Sequence, residues 1–430
     1  MKIAIVGGGL AGIAAATQLL ESGPEDLTVH LFEASGRLGG RAFTDLRSIR
    51  GFAFDMGAQY LQDPKENPLV AIAEELGFET VEEDAEYLLR VDKGNGWVDE
   101  ETTTPDVQAV VDRIQASFDR ASRVDNQRVA PQPRHDTQVE LLGHATSTYG
   151  PFTESAEVWQ YVAADRARER VLDAGANRFV KRGVGTLVAA YGARLATGYP
   201  KRFTAHMDTP VTGIAQADGQ VGVGSGPREW TFDACIVTVP VSVLARGAIA
   251  FSPALPAGHR DALRVLRLGS YKKLALALKT SPRDIVPGTN YYLVNDEPAG
   301  VWQVYRLPYA PDVLVAHAAG DFAAKLDQMR DADVYEMFGT LVREAFDGVF
   351  FTSGKAITGW SDAPYAGGAY SYTAFNGGGP EDPGPLAART TLAKPVGRVH
   401  FAGEALDPAC YGTLQAAYFT GVEAALQVLG

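Results

Sequence analysis

The sequence predicts an α/β protein built on a doubly wound parallel sheet, with a second domain beside it. Three observations carry this. First, "KIAIVGGGLAGIAAATQLLESG" reads as a buried strand, a glycine turn and an Ala/Leu-rich helix ending at Gly23, and "LTVHLFEA" supplies the next strand, so the sequence starts with a βαβ unit. Second, "CIVTVP" reads as a further buried strand, and the chain closes with "VHFAGE" and a helix from about Thr413. Third, 430 residues exceed the size at which one core stops growing.

The first turn is specific. Gly7-x-Gly9-x-x-Gly12 follows a strand and opens a helix, and Glu33 closes the next strand 21 residues beyond Gly12. Gly7 permits the tight turn, Gly9 lets backbone approach a pyrophosphate, and Gly12 lets helix pack on strand. The helix N-terminus offers free N–H groups, and Glu33 accepts hydrogen bonds from a ribose diol while repelling a 2′-phosphate. Together these predict a Rossmann-type dinucleotide site for an adenosine dinucleotide without that phosphate, leaving FAD and NAD open. Arg37, Gly39, Gly40 and Arg41 follow in "ASGRLGGRA", fork-shaped cations beside small residues that suit a diphosphate.

Further along, "DVQAVVDRIQASFDRAS" places Val107, Val110, Val111, Ile114 and Phe118 at helical spacing. The polar stretch from 123 to 140 reads as a long surface loop. Residues 209–240 turn to β texture around an Asp218-Gly219 turn, and "YKKLALALK" at 271–279 is another strand. In the closing helix Leu414, Ala417, Tyr418, Gly421, Val422, Ala425 and Leu426 predict a buried stripe.

Composition narrows the function classes. The chain is 46% hydrophobic and 21% charged, with a formal net charge of −13, which is ordinary globular composition and disfavours a nucleic-acid partner. Two cysteines, Cys235 and Cys410, make neither a disulfide framework nor a metal cluster, so no metal is expected. With no secretory-signal pattern and no apolar run of the roughly 18–20 residues that span a bilayer, a soluble cytoplasmic protein without a membrane anchor is expected.

With "FDMGAQY" at 54–60, the chain resembles the flavin-dependent amine oxidase family, which includes monoamine, polyamine and L-amino-acid oxidases and, more distantly, protoporphyrinogen oxidase and the renalases. The resemblance recurs in "KRGVGTLVAAY", in "TPVTGIAQADGQ" with "CIVTVPVSVL", in "WSDAPYAGGAYSY" as W-x-x-x-P-Y-x-x-G-x-Y, and in the F-x-G-E segment of "FAGEALDPACYGTLQAAYFTGVEAA". It implies one FAD lined by Glu33, Arg37, Gly40, Arg41, the Gly57-Ala58-Gln59 turn, Val211, Trp360, Gly403 and Glu404. The helix entered at Thr413 and Leu414 points its N-terminus at the flavin pyrimidine edge.

By the same resemblance, segments 1–80, 178–256 and 363–430 form the FAD domain. A discontinuous α+β substrate domain takes 81–177 and 257–362. Ala369 stands where a covalent thiol tether sits in some members, so FAD is expected to bind noncovalently. Ser35 stands where many members have arginine, removing one diphosphate contact.

Catalysis is implied for Lys273, beside flavin N5, and for Tyr370, on the substrate side of the ring. Strand alternation puts Lys273 with Ala275, Ala277 and Lys279, and Lys272 with Leu274, Leu276 and Leu278. A plain edge strand with solvated lysines is the competing reading. The aromatic that usually faces Tyr370 is replaced by Thr413, leaving Tyr411 as its substitute. Tyr60 is a further substrate contact, and Arg306 faces a substrate carboxylate or is a buried-strand arginine satisfied by a local acid. His135, His144 and the other histidines show no pairing with carboxylates and receive no assignment.

The implied reaction is oxidation of a C–N bond by hydride transfer from the carbon next to the amine nitrogen to N5, with O2 reoxidising the flavin and releasing H2O2. C–C desaturation, renalase-like dihydropyridine oxidation and a redox-idle FAD scaffold are the alternatives. Neither the identity of the amine nor the oligomeric state is legible.

Overall fold

A computed structural model describes residues 1–83, 86–92, 96–100, 105–121, 176–280, 282–296, 299–374 and 384–430. The surface loop expected over 123–140, His135, His144, the Phe118 side chain and most of the turn-rich stretch 376–385 lie outside the described residues.

Strand Lys2–Val6 is the centre of a five-stranded parallel sheet in the order Phe203–His206, Thr28–Phe32, Lys2–Val6, Ala234–Val237, Val399–Phe401. An apolar run serves a parallel strand because both faces are covered. Ile3 and Ile5 enter a core with helices Leu10–Ser22, Val184–Gly198 and Leu414–Leu429, whereas Ala4 and Val6 face Val221, Val223 and Phe232 of a mixed four-stranded sheet. Each fully buried Ile or Leu contributes about 1.5–3 kcal/mol of transfer free energy. The Asp218-Gly219 turn joins strands Gly213–Ala217 and Gln220–Ser225, both residues at positive φ (54° and 76°), as a two-residue hairpin demands.

The second unit is a seven-stranded, mostly antiparallel sheet in the order Phe351–Ile357, Tyr271–Leu278, Ala310–Ala319, Ala299–Leu307, Thr289–Asp296, Glu86–Asp92, Trp97–Glu100. Its alternation is clear in Tyr271–Leu278. Leu274, Leu276 and Leu278 pack under helices Gly320–Asp327 and Asp331–Ala345, while Ala275 joins Tyr305, Val315 and Phe54 on the opposite face. Lys272 follows the leucines to the helix side, where its Nζ meets Asp327 at 2.9 Å. Lys273 takes the other face. The edge-strand reading fails, because the strand is flanked on both sides and both lysines are buried.

The stripe expected on Leu414–Leu429 is displaced. Leu426 is 50% exposed, and the buried residues are Leu414, Gln415, Ala416, Thr420, Gly421, Ala424 and Ala425, of which Leu414, Gly421 and Ala425 belong to the expected stripe. The reason is close helix approach: a Cβ at Gly421 would lie 2.2 Å from the Ala11 carbonyl oxygen, so small residues rather than leucines face Leu10–Ser22. Substituting Gly421→Val is therefore expected to lower stability by about 1–3 kcal/mol or more, the cost of overpacking. Gly198→Ala, where no atom lies within 4 Å of the added carbon, is expected to stay within about 1 kcal/mol of the parent. Urea midpoints of the two variants check this, and equal midpoints would contradict it.

Candidate functional site

One cavity of about 660 Å³ runs from the first glycine turn to the Tyr271–Leu278 strand. At its start, strand Lys2–Val6 breaks at Gly7, whose φ of 114° suits glycine and whose Cβ would strike Thr238 Oγ1 at 2.5 Å. Helix Leu10–Ser22 begins at Gly9 with no side-chain cap, so its first N–H groups remain donors beside the cavity, which Gly9, Leu10 and Ala11 line. A Cβ on Gly9 would meet nothing within 4 Å, and a Cβ added to Gly40 would lie 3.3 Å from Gly9 Cα. This is an open cradle of backbone donors, a fit for a pyrophosphate.

Glu33 ends the second strand, buried at 8% exposure. Its Oε2 accepts from the Gly8 N–H at 2.7 Å, and its Oε1 accepts from the Ser35 N–H at 2.8 Å and the Ser35 hydroxyl at 2.7 Å. Ser35 thus orients the acid. Arg37 donates to the Gly40 carbonyl at 2.9 Å and lies over the Phe43 ring, holding the glycine loop beside the cradle.

Midway, the Glu404 carboxylate gathers three segments. Oε1 receives Arg41 Nη1 at 2.8 Å, and Oε2 receives the Ser371 hydroxyl at 2.7 Å and the Gly412 N–H at 2.8 Å. Burial by itself raises this carboxyl, but Arg41, Ser371 and Arg389 outweigh it and the net shift is downward. Arg41 also donates to the Ala369 carbonyl, and Trp360 Nε1 donates to Met56 O at 2.7 Å, so the aromatic segment is pinned along the cavity wall. Helix Leu414–Leu429 starts beside this wall, capped by Thr413 Oγ1, which accepts from the Ala416 N–H at 3.1 Å.

At the far end Lys273 Nζ donates to Gly57 O at 2.6 Å, Asp55 O at 3.2 Å and Gln59 Oε1 at 3.0 Å. Burial lowers its pKa to about 8, against an opposing pull from the Asp55 carboxylate. Asp55 is pushed up to about 6 by burial, although Thr44 Oγ1 and the N–H groups of Val184 and Gly185 donate to it. That carboxylate tethers the cavity turn to the start of helix Val184–Gly198, which has no side-chain cap of its own. Tyr370 lines the cavity with the Tyr271 ring 6.2 Å from it.

The cavity is lined by Gly7, Gly9, Glu33, Arg37, Gly40, Arg41, Gly57, Ala58, Gln59, Tyr60, Val211, Lys273, Trp360, Tyr370, Gly403, Glu404, Thr413 and Leu414. Gly12 stays behind the turn, where a Cβ would lie 2.0 Å from Gly7 O. Two expected substrate contacts are corrected. Arg306 is spent on the carbonyls of Pro282, Ile285 and Pro311 and is absent from the lining, because its guanidinium ties together loop ends behind the sheet. Tyr411 is buried under Arg389, whose guanidinium carbon lies 3.5 Å from its ring centroid, and does not line the cavity.

Thr238, Tyr271 and His317 are among the lining residues that escaped sequence reasoning. Alternation from Lys273 would have found Tyr271, two residues away on the same face. His317 is set opposite Lys273 only by strand pairing.

The sequence profile described as "Flavin containing amine oxidoreductase" matches residues 10–429. Polyamine oxidase 4 of Oryza sativa subsp. japonica is 28% identical over 456 residues, covering 99% of this chain and 88% of that protein. In fold, the chain is similar to putrescine oxidase in complex with putrescine, with a TM-score of 0.75 at 19% identity over 100% and 99% of the two chains. Cyclohexylamine oxidase from Brevibacterium oxydans IH-35A is similar with a TM-score of 0.77 at 18% identity, over 100% and 98%. The chain therefore belongs to the flavin containing amine oxidoreductase family and is an FAD-dependent oxidoreductase with amine oxidase-like activity.

Proposed function

We propose that the protein oxidises the C–N bond of a small amine to an imine. The observation that supports this best is the single cavity joining the Gly9 and Glu33 cradle to Lys273 and Tyr370. When bound, FAD supplies the redox chemistry, taking a hydride equivalent at N5 from the carbon next to the nitrogen and passing two electrons to O2, which leaves as H2O2.

The chain's own contribution is binding and orientation. Gly7, Gly9 and the first helical N–H groups hold the pyrophosphate, with Gly40 and Arg41 beside it. Glu33 takes the ribose hydroxyls, Val211 lies along the adenine, and the N-terminus of Leu414–Leu429 faces the flavin ring with its positive dipole end. Ala369 offers no thiol, so attachment is noncovalent. Tyr370 and Tyr60 present rings to the amine, and Lys273, its three N–H groups given to Asp55 O, Gly57 O and Gln59 Oε1, supplies a fixed charge beside the water used in flavin reoxidation. Segments 1–80, 178–256 and 363–430 serve the cofactor, and 81–177 with 257–362 serve the substrate.

Anaerobic addition of a panel of primary and secondary amines is expected to bleach the flavin absorbance, and readmitted O2 to restore it with H2O2 release. Bleaching by dihydronicotinamides but by no amine would overturn the reading in favour of dihydropyridine oxidation. Removing the charge at Glu33→Ala is expected to weaken FAD about 10- to 100-fold in equilibrium titration, the scale of one or two lost charge-assisted hydrogen bonds.

Lys273 also makes a stability prediction. Its folded pKa of about 8 lies below the ordinary 10.5, so between those values the unfolded chain binds the extra proton and stability rises with pH. Denaturant midpoints of Lys273→Met are expected to lack that component of the rise. Parallel pH dependences for parent and variant would show that Lys273 is not so perturbed.

A further inference from the structure

Lys272 turns its side chain away from the cavity, onto the face that its strand gives to the helices and that also carries Leu274, Leu276 and Leu278. It is 3% exposed, and its Nζ lies 2.9 Å from Asp327 Oδ1. The other carboxylate oxygen, Asp327 Oδ2, accepts from the Ser361 hydroxyl. Ser361 follows Trp360, which lines the cavity and donates its Nε1–H to Met56 O at 2.7 Å.

Neither charge suits its place unaided. A lysine on a leucine face gives up hydration, and Asp327 is the last residue of helix Gly320–Asp327, the end at which the backbone dipole disfavours a carboxylate. Each charge offsets the other, yet apolar side chains often fill such positions as stably, so the pair is to be understood by what it holds. It holds the segment after strand Phe351–Ile357. The Thr358 N–H donates to Lys273 O at 3.0 Å, and Thr358 Oγ1 accepts from Lys273 N at 2.9 Å. Ser361 is tied through Asp327 to Lys272. Trp360 lies between these two anchors, and its carbonyl accepts from the Gly368 N–H at 2.9 Å, where the aromatic segment turns back. The indole rests on the 56–57 turn, since a Cβ at Gly57 would come within 3.2 Å of Trp360 Cζ2. The carbonyl of that same Gly57 accepts from Lys273 Nζ at 2.6 Å.

We propose that Lys272 is a positioning residue for Trp360. Acting through Asp327 and Ser361 from the far side of its strand, it fixes the tilt of the indole against the turn that receives the Lys273 ammonium, and so sets one wall of the cavity. The two adjacent lysines close a ring: Lys273 holds the turn, the Met56 carbonyl of the turn holds Trp360, and Ser361 and Asp327 return the path to Lys272. None of Lys272, Asp327 and Ser361 lines the cavity, so the action is indirect. Its effect on the flavin rests on the reading of this wall as part of the cofactor site; the hold on Trp360 does not.

The test has two arms. Trp302, one of the five tryptophans, packs on Phe322 of the same helix as Asp327, with ring centroids 5.5 Å apart, and is the internal control. In 5-fluorotryptophan-labelled holoenzyme the two 19F signals are identified by their loss in Trp360→Phe and Trp302→Phe. Lys272→Met and Ser361→Ala are each expected to shift or split the Trp360 signal and to leave that of Trp302 in place. Lys272→Arg, which keeps the charge, is expected to hold the Trp360 signal closer to the parent position than Lys272→Met does. An unmoved Trp360 signal in Ser361→Ala, or a Trp302 signal displaced as far as that of Trp360, would overturn the positioning role. Ser361→Ala removes one half-buried hydroxyl and leaves the ion pair intact, so it decides the matter even where Lys272→Met does not fold.

In the second arm, diluted holoenzyme is expected to release FAD about 3- to 10-fold faster from Ser361→Ala and from Lys272→Met than from the parent, the scale of one weakened hydrogen bond. Trp360→Phe, which deletes the indole donor, is expected to show an effect at least as large, and adding Ser361→Ala to it is expected to change nothing further. Effects that multiply would overturn the path through Trp360. Unchanged FAD release in every variant, with the Trp360 signal moved, would overturn the flavin half alone, and with it the reading of this wall as a cofactor contact.

Discussion

The Glu404 carboxylate is the interaction on which the cavity's middle depends. It is buried, and it joins Arg41 from the glycine-rich loop, Ser371 from the aromatic segment and Gly412 from the approach to the closing helix. Those three segments lie hundreds of positions apart in sequence at the extreme. A buried carboxylate left unpaired costs several kcal/mol, so its donors are held as firmly as it is. Arg41 extends the same tie to the Ala369 carbonyl, which sets the aromatic segment along the cavity rather than against solvent.

A second buried charge organises the far end. Lys273 enters the cavity wall because its strand lies inside a sheet, with one face given to helices and the other to the site. Its ammonium is satisfied by two backbone carbonyls and an amide, and only at a distance by Asp55. The result is a cation of lowered pKa in a wall of neutral polar groups.

Much of the cofactor end was legible in the sequence because its parts are local. Gly7, Gly9, Gly12 and Glu33 occur within one βαβ unit, where positive φ, close backbone approach and strand length restrict residue type at each position. Ser35 shows the limit of such reading: taken as a lost diphosphate contact, it is a donor that orients Glu33. The stripe on the closing helix held at Leu414, Gly421 and Ala425 and missed at Leu426 for a related reason, since hydrophobicity marks what is greasy and close helix packing selects what is small.

The sequence by itself determined the dinucleotide fold and put Lys272 and Lys273 on opposite faces of their strand, because each follows from periodicity or from steric limits acting over a few residues; FAD rather than NAD, and Lys273 as the lysine at the site, rested on the family resemblance. Only the tertiary structure decided which polar side chains face the cavity. Arg306 and Tyr411 turned away because carbonyls and an arginine that meet them arrive from elsewhere in the chain. His317 turned in because strand register set it opposite Lys273. Hydrogen-bond partners of buried groups are fixed by pairing between distant segments, and no local pattern encodes that register.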